Sequence, residues 1–217
     1  ILKRRSLFLR KIRNRTITFL SALSTLIAAF FLLWILWTIL RNGLQSLSVD
    51  FLTEPTKPFG VPGGGMLNAI LGTAVITLVA TLLAVPAGML GGICLSEFAR
   101  STRFGNMVRF SANVMMGMPS ILVGLFIYTL LVMTTGNFSG FAGSAALAII
   151  MFPVILRTTE DMLCMVPNAL RESALAIGAP RWRITLAVVF RSAKNGLTTG
   201  VLLAVARVAG ETAPLLF

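Results

Sequence analysis

The stretch KRRSLFLRKIRNRTITFLSALSTLIAAFFLLWILWTIL, Lys3–Leu40, joins two segments of opposite character. Ile17 to Leu40 carries no charge, and a bilayer core needs about 20 apolar residues of helix to cross it. Ahead of it stand Lys3, Arg4, Arg5, Arg10, Lys11, Arg13 and Arg15, with no acid among them. An uncharged span behind a basic tail reads as a transmembrane helix with its N-terminal side cytoplasmic, because Lys and Arg are retained on the inner face. The alternative by position is a secretory signal. The run is too long for a signal's apolar region, and no small-residue cleavage site follows Trp37 or Leu40.

Composition extends this reading to the whole chain. The 217 residues are 56% hydrophobic and 12% charged, against about 25% charged in an ordinary soluble domain; mean hydropathy is +0.89. Further spans are expected at Met66–Ser96, Phe110–Thr135 and Phe138–Leu156, all uncharged, and at Asn195–Phe217, charged only at Arg207 and Glu211. The loops between them alternate as the inside rule demands. Residues 41–65 balance Arg41 and Lys57 against Asp50 and Glu54 and fit outside. Arg100, Arg103 and Arg109 fit inside, the uncharged Gly136–Asn137 link fits outside, and Arg157 to Lys194 is basic and fits inside. The expected fold is an all-α, polytopic transmembrane bundle. A basic tail at residues 1–16 precedes a transmembrane domain at residues 17–217, with a cytoplasmic loop at residues 157–194. Because Ile1 is not Met and Leu215-Leu216-Phe217 ends in an apolar run, both ends are expected to be trimmed.

Several function classes drop out. The net charge of +12 lies between apolar spans rather than in an aromatic-lined basic groove, so nucleic acid is not an expected partner. The chain has no His, and Cys94 and Cys164 show no metal-type spacing, so no metal or catalytic set is expected. The outside loop, with Pro55, Pro58, Pro62 and Gly63-Gly64-Gly65, reads as a flexible or turn-rich connector. It is not a phosphate-cradling loop, since no Lys-Ser or Lys-Thr follows it. Within the second span Gly72, Ala74, Ala80, Ala84, Ala87, Gly88, Gly91 and Gly92 read as a close-packing face, with Gly88 and Gly92 at G-x-x-x-G spacing. Pro86, Pro119, Pro153 and Pro214 are expected to kink or end their helices.

Met165 to Asn195 is the most informative stretch. Pro167 and Asn168 suit a helix start, and Leu170, Ala174 and Ile177 fall at helical spacing. Gly178 followed by Pro180 forces a stop. A second helix from Pro180 places Trp182, Leu186 and Val189 on one face and leads into the last span. The loop is thus a bent pair of short helices whose second arm is fused to the membrane, a lever by construction.

Glu172-Ser173-Ala174, three residues, Gly178, and nine residues before Val188 resemble the E-A-A-x-x-x-G loop of binding-protein-dependent ABC importer permeases. Ser173, Phe190 and Arg191 depart from the generic pattern; Glu172, Ala174 and Gly178 keep it. Pro119-Ser120-Ile121-Leu122-Val123-Gly124-Leu125-Phe126, Arg157-Thr158-Thr159-Glu160 and Ala206-Arg207-Val208-Ala209-Gly210-Glu211-Thr212-Ala213-Pro214-Leu215-Leu216-Phe217 resemble the PstA-type permeases of phosphate importers. The resemblance implies a type I importer permease fold of six spans in a bacterial inner membrane, with both termini on the cytoplasmic side. It implies a PstC-type permease, an ATPase dimer that binds ATP and Mg, and an external phosphate-binding protein as partners. No cofactor is expected on this chain. It also implies that Glu172, Ser173, Ala174, Gly178 and Pro180 couple to the ATPase.

Arg207 stands about eleven residues into the fifth expected span, roughly 16 Å along a helix. An intramembrane Arg is a functional-site hypothesis by default. Glu211, four residues on, is expected on the same face. The pair reads either as a structural ion pair or as a substrate path, where a guanidinium fork meets oxyanion oxygens and Glu211 tempers the grip. Arg157 reads as a snorkelling anchor or, through the resemblance, as an exit-side ligand. Arg171, Arg181, Arg183 and Arg191 read as docking or lipid-facing charges. Sulfate or molybdate would suit the same charges, and a channel, carrier or membrane scaffold is the competing function.

Overall fold

The computed structural model describes residues 2–44, 47–58, 60–61 and 63–216, with side chains from residue 9 onward. Ile1, Pro62, Phe217 and the side chains of Lys3, Arg4 and Arg5 lie outside the described residues. The chain forms two units, Ile1–Asn68 and Ala69–Phe217.

In the first unit, α1 (Leu2–Gly43) runs unbroken from the basic tail through the expected span. The short α2 (Val49–Thr53) follows, with the Ser48 hydroxyl accepting from the Phe51 N–H. The Gly-rich run is folded rather than loose. Glu54 Oε2 accepts from the Gly64 N–H at 3.1 Å, and the Met66 N–H donates to Phe51 O at 2.7 Å. Gly63 and Gly64 have φ of +79° and +103°, and a Cβ on Gly65 would collide with Phe51 O. Glycine is required there because the chain folds back onto the carbonyl end of α2.

The second unit is built on α3 (Leu67–Glu97), α4 (Arg103–Gly117), α5 (Ser120–Ile127), α6 (Met133–Thr135) and α7 (Gly140–Cys164). Then come α8 (Asn168–Ala176), α9 (Arg181–Ile184) and α10 (Arg191–Ala209). Helix α7 is the centre. Ala80 and Ala84 of α3, Leu147, Met151 and Ile155 of α7, and Ala204 and Val208 of α10 form one buried core. The G-x-x-x-G face lies against α7: a Cβ on Gly88 would stand 2.9 Å from Ile155 Cβ, and one on Gly92 2.6 Å from Thr159 Cβ. Helix α10 does the same with Gly196 against Met162 and Gly200 against Thr158. Where lipid replaces water, this close packing is what holds helices together. Hydroxyls inside the helices bond back to the preceding turn, as Thr81 does to Thr77 O at 2.7 Å and Ser144 to Gly140 O at 2.8 Å. No water is then needed to satisfy them.

The all-α, polytopic expectation holds, and two spans differ in form. Leu9–Gly43, Leu67–Glu97 and Gly140–Cys164 are each long and apolar enough to cross a bilayer. The expected third span is a broken pair, Arg103–Gly117 and Ser120–Thr135, bent by 100°. Pro119 causes the break. It has no N–H, and it holds Met118 extended at ψ 138°, as the residue before a proline must be. A π-helical turn at Tyr128–Val132 continues α5. The helix at the expected fifth span, Arg191–Ala209, is not among the described helices long and apolar enough to cross a bilayer, and Gly210 to Leu216 lie beyond it, with a 3-10 turn at Ala213–Leu215. Pro86 and Pro153 sit within continuous helices. The structure carries α7 on to Cys164, so residues 165–190 alone separate α7 from α10.

Gly92→Ala is expected to destabilise the protein by about 1–3 kcal/mol, the usual cost of overpacking, read as a lower unfolding temperature in detergent. Gly72→Ala, where a Cβ meets nothing within 4 Å, should leave that temperature unchanged.

Candidate functional site

The sequence between α7 and α10 folds as a bent lever. Helix α8 opens on Pro167, whose missing N–H costs nothing there. It closes on Gly178 at φ +80°, with the Gly178 N–H donating to Leu175 O at 2.9 Å and the Ala179 N–H to Ala174 O at 3.3 Å. These two bonds make a Schellman cap, which needs a left-handed residue at this position. Pro180 then opens α9.

The expected apolar faces are corrected. Ala174 turns inward, joining Leu163, Val166, Ile184, Val189, Ala193 and Leu197 in a second buried cluster, but Leu170 is 44% and Ile177 84% exposed. Ile177 leaves the face because the cap rotates the chain out of the helix. Val189 is buried while Trp182 and Leu186 are exposed, since a π-helical segment at Thr185–Phe190 shifts the register. Glu172, Ser173, Gly178 and Pro180 are all exposed, so the lever presents Glu172 and Ser173 beside bare Leu170 and Ile177.

The membrane charges are arranged differently from the expectation. Arg207 stands in the last turn of α10, a favourable place for a cation beside unpaired carbonyls, and it is exposed. Glu211 lies past the helix end, its N–H donating to Val208 O at 3.1 Å. It therefore does not continue Arg207's helical face, and no ion pair joins the two among the described residues. Immediately beyond, the 3-10 turn seats against α5: a Cβ on Gly124 would stand 2.6 Å from Pro214 Cα. Two of the segments that carry the family resemblance, at 119–126 and 206–216, are thus in contact. Beside that contact lies a cavity of about 300 Å³, bounded by Ile76, Tyr128, Gly143 and Leu215.

Arg157 is already engaged. Its Nη1 donates to Glu160 Oε2 at 2.5 Å, and its Nη2 stands 3.6 Å from Asp161. Glu160, with a side chain only 5% exposed, also accepts from Arg109 Nε at 2.6 Å. Arg109 in turn donates to Leu95 O and Ala99 O at 3.3 Å. Arg171, expected as a docking or lipid-facing charge, points inward to Glu97 Oε1 at 2.8 Å. The three-residue spacing of Arg157 and Glu160 is visible as a helical ion pair. The partnerships of Arg109 and Arg171 have no local signal, because they join residues 51 and 74 positions apart.

A family model described as binding-protein-dependent transport system inner membrane component matches residues 84–217. The chain belongs to that family. Among its relatives, the permease is 45% identical to the phosphate transport system permease protein PstA of Haemophilus influenzae, over 96% of this chain and 73% of that one. It is 38% identical to PstA of Mycobacterium leprae, over 95% and 69%. Its fold matches a chain of the inward-facing MetNI methionine ABC transporter with a TM-score of 0.61 at 20% identity, over 67% of the permease and 70% of that chain. The family match over residues 84–217 spans the lever, α7 and the 206–216 segment.

Glu160→Gln would leave two guanidinium groups around a neutral amide. Breaking a buried charge pair on one side costs about 3–5 kcal/mol. A large fall in the detergent unfolding temperature is therefore expected, against little change for Asp161→Asn, whose side chain is 58% exposed.

Proposed function

We propose that this permease is the membrane-spanning subunit of an ATP-driven importer that carries phosphate into the cytoplasm. The observation that carries the reading is the Schellman-capped helix α8, which presents Glu172 and Ser173 on a short arm tied by Ala174 into the base of α10. The phosphate assignment is supported by the PstA relatives.

In this reading the N-terminal tail and the lever face the cytoplasm, as the loop charges favour. A separate ATPase pair holds ATP and Mg and grips α8. A PstC-type permease completes the pathway, and an external binding protein delivers the anion. ATP-driven closure of the ATPase pushes α8, and α9 passes the movement into α10, whose last turn carries Arg207. The Arg207 guanidinium supplies positive charge and a planar donor fork to phosphate oxygens. Glu211, after the helix end, limits how tightly the anion is held. Arg157 acts on the exit side by exchanging part of its bonding between Asp161 and the anion.

Membrane vesicles holding the assembled importer are expected to take up labelled phosphate only with ATP, and excess sulfate or molybdate should not compete. Arg207→Ala should abolish uptake at normal expression; full uptake would remove Arg207 from the pathway. Gly178→Pro cannot adopt φ +80° and loses the N–H that bonds Leu175 O. It should release the ATPase subunit on co-purification, and unchanged binding would count against the docking role.

A further inference from the structure

Helix α8 has little apolar grip on the rest of the protein: Ala174 is its only buried residue among those described. Its firmest attachment is Arg171, the residue just before Glu172. Arg171 Nη2 donates to Glu97 Oε1 at 2.8 Å and to Leu163 O at 2.9 Å, and Nη1 donates to Val166 O at 3.0 Å and Asn168 Oδ1 at 3.3 Å. One planar fork thus binds the last residue of α3, the last turn of α7 and the start of α8. The two side chains are 14% and 16% exposed, so solvent screens the pair weakly.

The end of α3 is held a second time, by α4. Arg109 of α4 donates to Leu95 O and Ala99 O and to Glu160 of α7. Arg171 and Arg109 therefore grip the same end of α3, one from the lever and one from α4, and each also binds α7 between residues 160 and 163. Helix α4 turns through 100° into the segment containing α5, and α5 carries the Gly124 seat for Pro214.

We infer that Glu97 and Arg171 are positioning residues that carry displacement of α8 into α3 and, through Arg109, into the broken α4–α5 pair. This line is separate from the covalent one through α9 and α10. It delivers movement to α5, the surface on which the 213–215 turn rests, whereas the α10 line acts on Arg207 itself. Neither Glu97 nor Arg171 touches the transported anion. The proposal rests on the importer reading above.

The test uses the complete importer in proteoliposomes, with ATP hydrolysis and labelled phosphate uptake measured on the same vesicles. Glu97→Gln keeps the carbonyl bonds of Arg171 and takes the charge out of the link to α3, leaving a neutral amide acceptor in its place. It is expected to leave ATPase co-purification and hydrolysis near normal and to lower phosphate moved per ATP by about two- to thirtyfold, the range over which such coupling residues act. Arg171→Gln should do the same, Arg171→Lys should recover part of the loss, and the double variant Glu97→Gln with Arg171→Gln should be no worse than the poorer single one. Hydrolysis and uptake falling in equal proportion in Glu97→Gln, an unchanged ratio, or a double variant whose losses multiply would each overturn the proposal. Should Arg171→Gln fail to assemble, the ratio in Glu97→Gln decides alone. If the unaltered importer takes up no phosphate on addition of ATP, the importer reading itself fails and this inference falls with it.

Discussion

Helix α7 is pressed from two sides by helices that meet it through glycine. Gly88 and Gly92 bring α3 onto Ile155 and Thr159, and Gly196 and Gly200 bring α10 onto Met162 and Thr158. In lipid, apolar burial does not favour helix association as it does in water, so shape and close contact must do so. Everything else in the second unit depends on this approach. It fixes where α10 ends, and hence where Arg207 stands, and it brings the ends of α3 and α7 near enough for Arg109 and Arg171 to reach both.

The polar groups then mark one end of that packed stack. Glu160 is buried and shared by two guanidinium groups, while Glu97 is bound by a third. Such groups are costly away from water unless paired, and here each carboxylate joins different helices. The stack is apolar and glycine-lined along its length and charge-stapled at the end where the lever attaches. That combination gives a rigid bundle with one mechanically addressed end, which suits a protein driven by a soluble partner.

Much of this was legible in residue order. The apolar runs, the loop charges, and the Pro167–Gly178–Pro180 punctuation each act within a few residues of themselves, so the spans and the bent lever follow from local rules. The same holds for the packing role of Gly88 and Gly92. What the local rules mistook were faces and ends. A π-helical segment turned Val189 inward and left Trp182 outside. Pro119 converted an apparently continuous apolar span into a 100° bend, because an apolar run does not record a change of direction.

The sequence by itself determined that the chain is a helical membrane protein and that a capped helical lever stands before the last helix. It could do so because hydropathy, capping and the charge rule are properties of neighbouring residues. Only the tertiary structure decided that Arg207 ends a helix instead of sharing a face with Glu211, that Pro214 rests on Gly124, and that Arg171 binds Glu97 rather than a partner or lipid. Those outcomes depend on which helices come within hydrogen-bonding reach, and that is set by the glycine contacts on α7, between residues far apart in the chain.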